Sequence, residues 1–197
     1  MKTYTYKKSV ALFKRAAKVI PCGIYGHLSP APLVPATDYP FYASRAKGAR
    51  FWDVDGNEFI DYMCAYGPMI LGYANEKVDE AYRRQAESGA CTTIATDLSV
   101  ELAETVTKTI DCADWVMFAK NGADATSMAV TLARGYTRRD KIVLAEEGDH
   151  GTQPWAGTNS VGITQRDRAD IVMVPWGDLD AFQAAIARHK GQVAGVM

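Results

Sequence analysis

Long apolar runs are missing from this sequence. None approaches the ~18–20 residues that a membrane-spanning helix needs, so no membrane partner is expected. An excess of charge of one sign is missing too. The 22 Lys and Arg balance 23 Asp and Glu to a net charge of −1, and no basic block with interleaved aromatics occurs. That leaves no electrostatic case for nucleic acid or an anionic surface. Cysteine is scarce: Cys22, Cys64, Cys91 and Cys112 form no C-x-x-C pair. Four reduced thiols are expected, not a disulfide framework or a metal site. His27, His150 and His189 are scattered, which excludes a local zinc motif. The lysines of Met1 to Lys8 precede a charged helical pattern, not the apolar core and small-residue cleavage site of a secretory signal. The reading is a cytoplasmic protein. Repeats and low-complexity tracts are absent.

What is present is a change of rhythm along the chain. Lys7 to Ile20 puts Val10, Phe13, Ala17 and Ile20 on one helical face, with Pro21 and Gly23 as a stop. Residues 21–40 are rich in proline and glycine and read as an irregular crossing segment. Arg50 to Asp53 and Glu58 to Asp61 flank Asp55-Gly56-Asn57, which predicts a hairpin whose turn needs a positive φ. Helices are predicted from Asn75 to about Ser88 and from Asp97 to Ile110. Beyond them come short apolar runs at 114–119, 141–145 and 171–174, each with the look of a strand buried on both faces. Helical patterns alternate with them at Ala123 to Thr137 and after Asp178, and Gln192 to Met197 begins a further strand. Strand and helix in alternation predict an α/β fold with a mainly parallel sheet.

One junction carries chemistry. Phe118 to Thr126 joins a predicted strand to a predicted helix start. In an α/β sheet such junctions lie at the carboxyl ends of the strands, where ligands bind. The first N–H groups of a helix lack internal partners and sit at its positive end. Gly122 lets an anion approach the backbone closely. The loop therefore suits a phosphate, although it is neither G-x-G-x-x-G nor a P-loop. Taken alone, a glycine before a helix is more often a plain turn.

Read as a whole, the chain resembles glutamate-1-semialdehyde aminomutase and the other class III aminotransferases. Asp53-Val54-Asp55-Gly56-Asn57-Glu58 resembles the family's early hairpin, and Gly67-Pro68-Met69-Ile70-Leu71-Gly72 its following segment. Val100 to Glu104 fits the next helix. Asn121-Gly122-Ala123-Asp124-Ala125 stands where the family has S-G-T-E-A, and Asp149-His150-Gly151 where it has Y-H-G. The resemblance implies a fold type I transferase dependent on pyridoxal 5'-phosphate. Residues 1–70 would be the helix and hairpin segment of its small domain, and 71–197 an incomplete cofactor-binding large domain. It also implies a homodimer acting on a small-molecule amine or amino acid and an oxo acid.

By the same resemblance, Asn121, Gly122 and Ala123 would hold the cofactor phosphate, with Asp149 and His150 beside the ring. Three departures stand out. Ala123 lacks the family's threonine hydroxyl, a loss of about 1.5–3 kcal/mol for one hydrogen bond to a charged acceptor; the Asn121 amide is the candidate replacement. Asp149 replaces an aromatic residue and has no π-face, which leaves His150 and Trp155 as the nearby ring candidates. Gly26 and Ser29 fall where the aminomutases carry a serine and a carboxylate-binding arginine, so the bidentate clamp for their substrate is absent. Tyr25, His27 and Tyr66 are the candidates for lining a different substrate pocket.

The family's Schiff-base lysine lies downstream of the phosphate loop, and it is expected beyond Met197. Lys120 precedes the loop and does not correspond to it. The leading expectation is an aminotransferase. An aminomutase or racemase of the same fold, and a non-catalytic binding module, remain open as alternatives.

Overall fold

The computed structural model describes residues 4–24, 34–35, 37–157 and 161–197. The chain divides into two compact units, Met1–Ala95 and Thr96–Met197.

The first unit is organised by carboxylates that accept backbone N–H groups. Helix α1 (Lys7–Ala16) has no cap from its own flanking residue. Its first turn is capped from a distance: Asp55 accepts the N–H groups of Lys8 and Ser9, both at 2.8 Å. Asp55 sits in the turn between β2 (Arg50–Asp53) and β3 (Glu58–Ile60), which pair antiparallel. The hairpin and the positive φ of Gly56, 86°, are as the sequence predicts. Asp53 is fully buried, and its carboxylate takes the N–H groups of Asp55 and Asn57 and the Asn57 side-chain amide. A buried carboxylate persists only when it is satisfied in this way. The amide of Asn57 also donates to Thr5 O. The D-V-D-G-N run thus ties the N-terminal helix to the hairpin.

A third strand, β1 (Ala43–Lys47), pairs with β2. The sequence gives no alternating pattern there; its residues are mostly exposed, and pairing alone makes it a strand. Gly48 and Tyr73 exchange backbone hydrogen bonds at 2.9 Å. Gly72 sits against Gly48 so closely that a Cβ would lie 3.0 Å from the Gly48 Cα. Helix α2 (Glu76–Ser88) is capped by the Asn75 side chain, which accepts from Lys77 and Val78.

Between the hairpin and α2 the chain passes through three consecutive left-handed residues that are not glycine. Cys64, Ala65 and Tyr66 have φ of 48°, 51° and 65°. Each such residue costs on the order of 1 kcal/mol or more. Asp61 anchors this turn, accepting Met63 N–H at 2.8 Å and the Tyr73 hydroxyl at 2.5 Å.

The second unit is α/β. Helix α3 (Asp97–Thr109) is followed by α4 (Gly122–Thr137), β4 (Lys141–Ala145), β5 (Ile171–Val174), α5 (Leu179–Arg188) and β6 (Val193–Val196). The strands form a parallel sheet in the order β5-β4-β6. Ile142, Val143 and Leu144 of the central strand are buried at 2%, 0% and 1% exposure, worth roughly 1.5–3 kcal/mol each on transfer arithmetic. Val130 of α4 joins them, with Ala133, Trp155, Ile171, Ala194 and Met197 packed around. Asp178 caps α5 through Ala181 N–H, as its position in the sequence suggests.

One expected strand is not formed. Residues 114–119 have no strand partner among the described residues, and Trp115, Met117 and Phe118 are 66%, 48% and 51% exposed. An apolar run supplies side chains for a strand, but the ladder that defines one needs a neighbour.

The Asp61–Tyr73 pair sets a pH signature. The Tyr73 hydroxyl bond holds the Asp61 carboxyl below its usual range, and the same bond is the main cause that pushes Tyr73 up to about 12. A folded-state value raised above the unfolded ~10 stabilises fully below pH ~10 and is lost as pH rises through the folded value. The lowered Asp61 stabilises above pH ~4 and is lost as pH falls through its folded value. Guanidinium unfolding at a series of pH values should therefore show an alkaline loss between about pH 10 and about pH 12 that Tyr73→Phe removes; equal profiles for the two proteins would contradict the pairing.

Candidate functional site

The start of α4 is built by its cap. Asn121 is extended at φ −154°, and its side-chain oxygen accepts Asp124 N–H at 3.0 Å. Its amide donates back to the Asp124 carboxylate, also at 3.0 Å. The Ala125 N–H goes to the Asn121 carbonyl. The N–H groups of Gly122 and Ala123 donate to nothing among the described residues. Two free donors thus remain at the positive end of a 16-residue helix. The Asn121 amide, considered above as a stand-in for the missing threonine hydroxyl, is engaged by Asp124 in this conformation.

The loop after β4 rests on the same helical turn. Thr126 donates to the His150 carbonyl at 2.8 Å. Gly151, at φ 110°, lies against Ala123: a Cβ there would meet the Ala123 Cβ at 2.8 Å and its Cα at 2.9 Å. Gly151 N–H donates to Asp149 at 3.1 Å, which closes the loop on itself. The His150 ring lies over Gly148, where a Cβ would be 2.6 Å from Nε2. That nitrogen is buried and has no hydrogen-bond partner. Trp155, the other ring candidate, packs into the core against Val130, Ile142 and Leu144.

The structure therefore brings Asn121, Gly122, Ala123, Asp149 and His150 to one place in the Thr96–Met197 unit. Tyr66 is in the other unit, 61% exposed at the end of the left-handed turn. Tyr25 and His27, with Gly26 and Ser29, lie outside the described residues. Lys120 is exposed and precedes the cap. Sequence reasoning missed Thr126 and Gly151 as organisers. A threonine inside a helix carries no outward sign of a bond to a residue 24 positions away.

Two free N–H groups at a helix start, beside a loop that holds an orphaned ring nitrogen, fit an anionic cofactor with a polar ring. Comparison with known proteins agrees. The family model for aminotransferase class III matches residues 34–167. The aminopentol aminotransferase of Sphingopyxis macrogoltabida is 41% identical over 94% of this chain and 43% of its own length. The glutamate-1-semialdehyde 2,1-aminomutase of Methanothrix thermoacetophila is 37% identical over 99% and 47%. Among solved structures, the PLP internal aldimine form of the Sphingopyxis sp. MTA144 FumI protein superposes with a TM-score of 0.90 at 40% identity, covering 96% of this chain and 45% of that one.

The fold is that of a fold type I transferase, and the family indicates pyridoxal phosphate as the cofactor. The chain belongs to the class III aminotransferase family. It spans about half the length of the curated relatives it matches.

Gly151 is a direct test of the loop's docking. Gly151→Ala sets a side chain at a strained φ and against the Ala123 backbone. A loss of about 2 kcal/mol or more is expected in urea unfolding. An unchanged midpoint would mean that the loop does not rest on α4.

Proposed function

We propose that this chain is part of a pyridoxal-phosphate-dependent aminotransferase that moves an amino group between an amine or amino acid and an oxo acid. The observation that carries the reading is the pair of free N–H groups of Gly122 and Ala123, beside the docked His150 loop. Bound there, the cofactor would supply the electron sink for exchange of the amino group. Gly122 and Ala123 would bind its phosphate through backbone donors. Asn121 and Asp124 hold that turn in shape by bonding to each other. Asp149 and His150 would stand beside the ring. The aminomutase reading is weaker, because Gly26 and Ser29 replace the serine and arginine that would clamp its substrate. That change favours a donor recognised without a guanidinium–carboxylate pair, with Tyr25, His27 and Tyr66 as pocket candidates.

The test is a titration of the purified protein with pyridoxal phosphate, with inorganic phosphate as competitor, followed by borohydride reduction and mapping of modified lysines. Saturable binding that phosphate displaces is expected, with no stoichiometric label on Lys120. Absence of saturable binding would overturn the reading, and a stoichiometric label on Lys120 would relocate the reactive amine.

We further propose a homodimer. Tyr62 and Ile70 are 88% and 86% exposed, with Met63, Tyr66 and Leu71 also open. So much apolar surface in one short segment is characteristic of an interface. Light scattering of the complete enzyme at micromolar concentration should give twice its chain mass; a monomer of the complete enzyme would contradict it.

A further inference from the structure

We propose that Thr126 is a positioning residue for the cofactor, and that its hydroxyl fixes the Gly148–Gly151 loop against the turn that binds phosphate. The proposal rests on the pyridoxal-phosphate reading above. Thr126 touches neither Gly122 nor the free donors through its own hydrogen bonds; it acts through His150 and through the loop's contact with Ala123.

A threonine hydroxyl has one proton. Inside a helix that proton ordinarily bonds back to the carbonyl three or four residues earlier. Here two acceptors are within reach: Ala123 O at 3.0 Å and His150 O at 2.8 Å. Ser127 already donates to Ala123 O at 2.8 Å. The Thr126 proton is therefore better directed to His150 O, the shorter contact and the one not shared with Ser127. The bond spans 24 residues and joins the loop after β4 to the first turns of α4.

Three further contacts converge on the same loop. The Gly151 backbone lies on Ala123, the Gly151 N–H is taken by Asp149, and the His150 ring lies on Gly148. None of these fixes the loop's height above the helix with a directional bond to α4. The glycine contacts are van der Waals contacts with no direction of their own. The Asp149 bond is internal to the loop. Among the described residues, the Thr126 hydroxyl is the directional link that pulls the loop down onto the helix. Its loss would let the His150 backbone shift relative to the Gly122 and Ala123 donors without unfolding the sheet beneath.

Thr126→Val keeps the shape and removes the proton; Thr126→Ser keeps the proton. Three measurements are made on each purified protein: the pyridoxal phosphate dissociation constant, the melting temperature, and the His150 ring resonances by NMR with and without cofactor. Thr126→Val is expected to weaken the cofactor by about tenfold and to change the His150 response, with cooperative melting retained. Thr126→Ser should restore both. Equal affinity and equal His150 resonances in the wild type and Thr126→Val would overturn the positioning role while leaving the cofactor reading intact. Failure of the wild type itself to bind would overturn that reading, and this proposal with it. If Thr126→Val does not fold, Thr126→Ala is read in its place. A Thr126→Ser protein that folds but binds as weakly as the hydroxyl-free variant would also overturn the proposal.

Discussion

Every backbone N–H that a helix start or tight turn turns away from its own ladder must find an acceptor. In this chain the acceptors are short side chains placed at the turns. Asp55 serves α1, Asn75 serves α2, Asp178 serves α5, and Asp53 and Asp61 serve the hairpin and the segment after it. At α4 the same device is incomplete. Asn121 satisfies Asp124 and leaves Gly122 and Ala123 open. A single capping bond also leaves Leu179 and Asp180 open at α5 among the described residues; α4 has in addition the docked loop beside its start.

The electrostatics around that opening are mixed. The helix end is positive, yet Asp124 and Asp149 bring two carboxylates close to it. Both are engaged: Asp124 with the Asn121 amide, and Asp149 with the Gly151 N–H. Each is held by a local donor, which fixes where its negative charge lies. An acidic residue at the first turn of a helix also complements the dipole. The two carboxylates beside the open helix start are thus each tied to a local donor, and Lys120 directly precedes the cap.

Much of this was legible in the sequence, for identifiable reasons. The Asp55-Gly56-Asn57 turn located the hairpin, a helical pattern α4, and short apolar runs β4 and β5, of which β4 is the buried one. The helix start near Ala123 was legible from the helical pattern that follows it, although the strand expected ahead of it is not formed. Strand β1 was not legible, since Ala43–Lys47 has no apolar alternation and is defined by its partner. Residues 114–119 misled for the opposite reason: the side chains suit a strand, and the described residues offer no ladder. Thr126 and Gly151 act through contacts between segments distant in sequence, and periodicity carries no information about those. The left-handed run at Cys64, Ala65 and Tyr66 was equally hidden, because none of the three is a residue type that prefers it.

The order of the sheet, β5-β4-β6, has a consequence for how the unit assembles as it is synthesised. The first strand to emerge is the central one, and both of its neighbours come later. Ile142, Val143 and Leu144 therefore leave the ribosome with no sheet to enter. One side is covered only after β5, and the other only after α5 and β6 have followed. Parallel pairing between distant segments is slow, because loop closure precedes its reward. During that interval the most apolar strand of the chain presents two open edges, the condition under which nascent chains associate with one another or with chaperones.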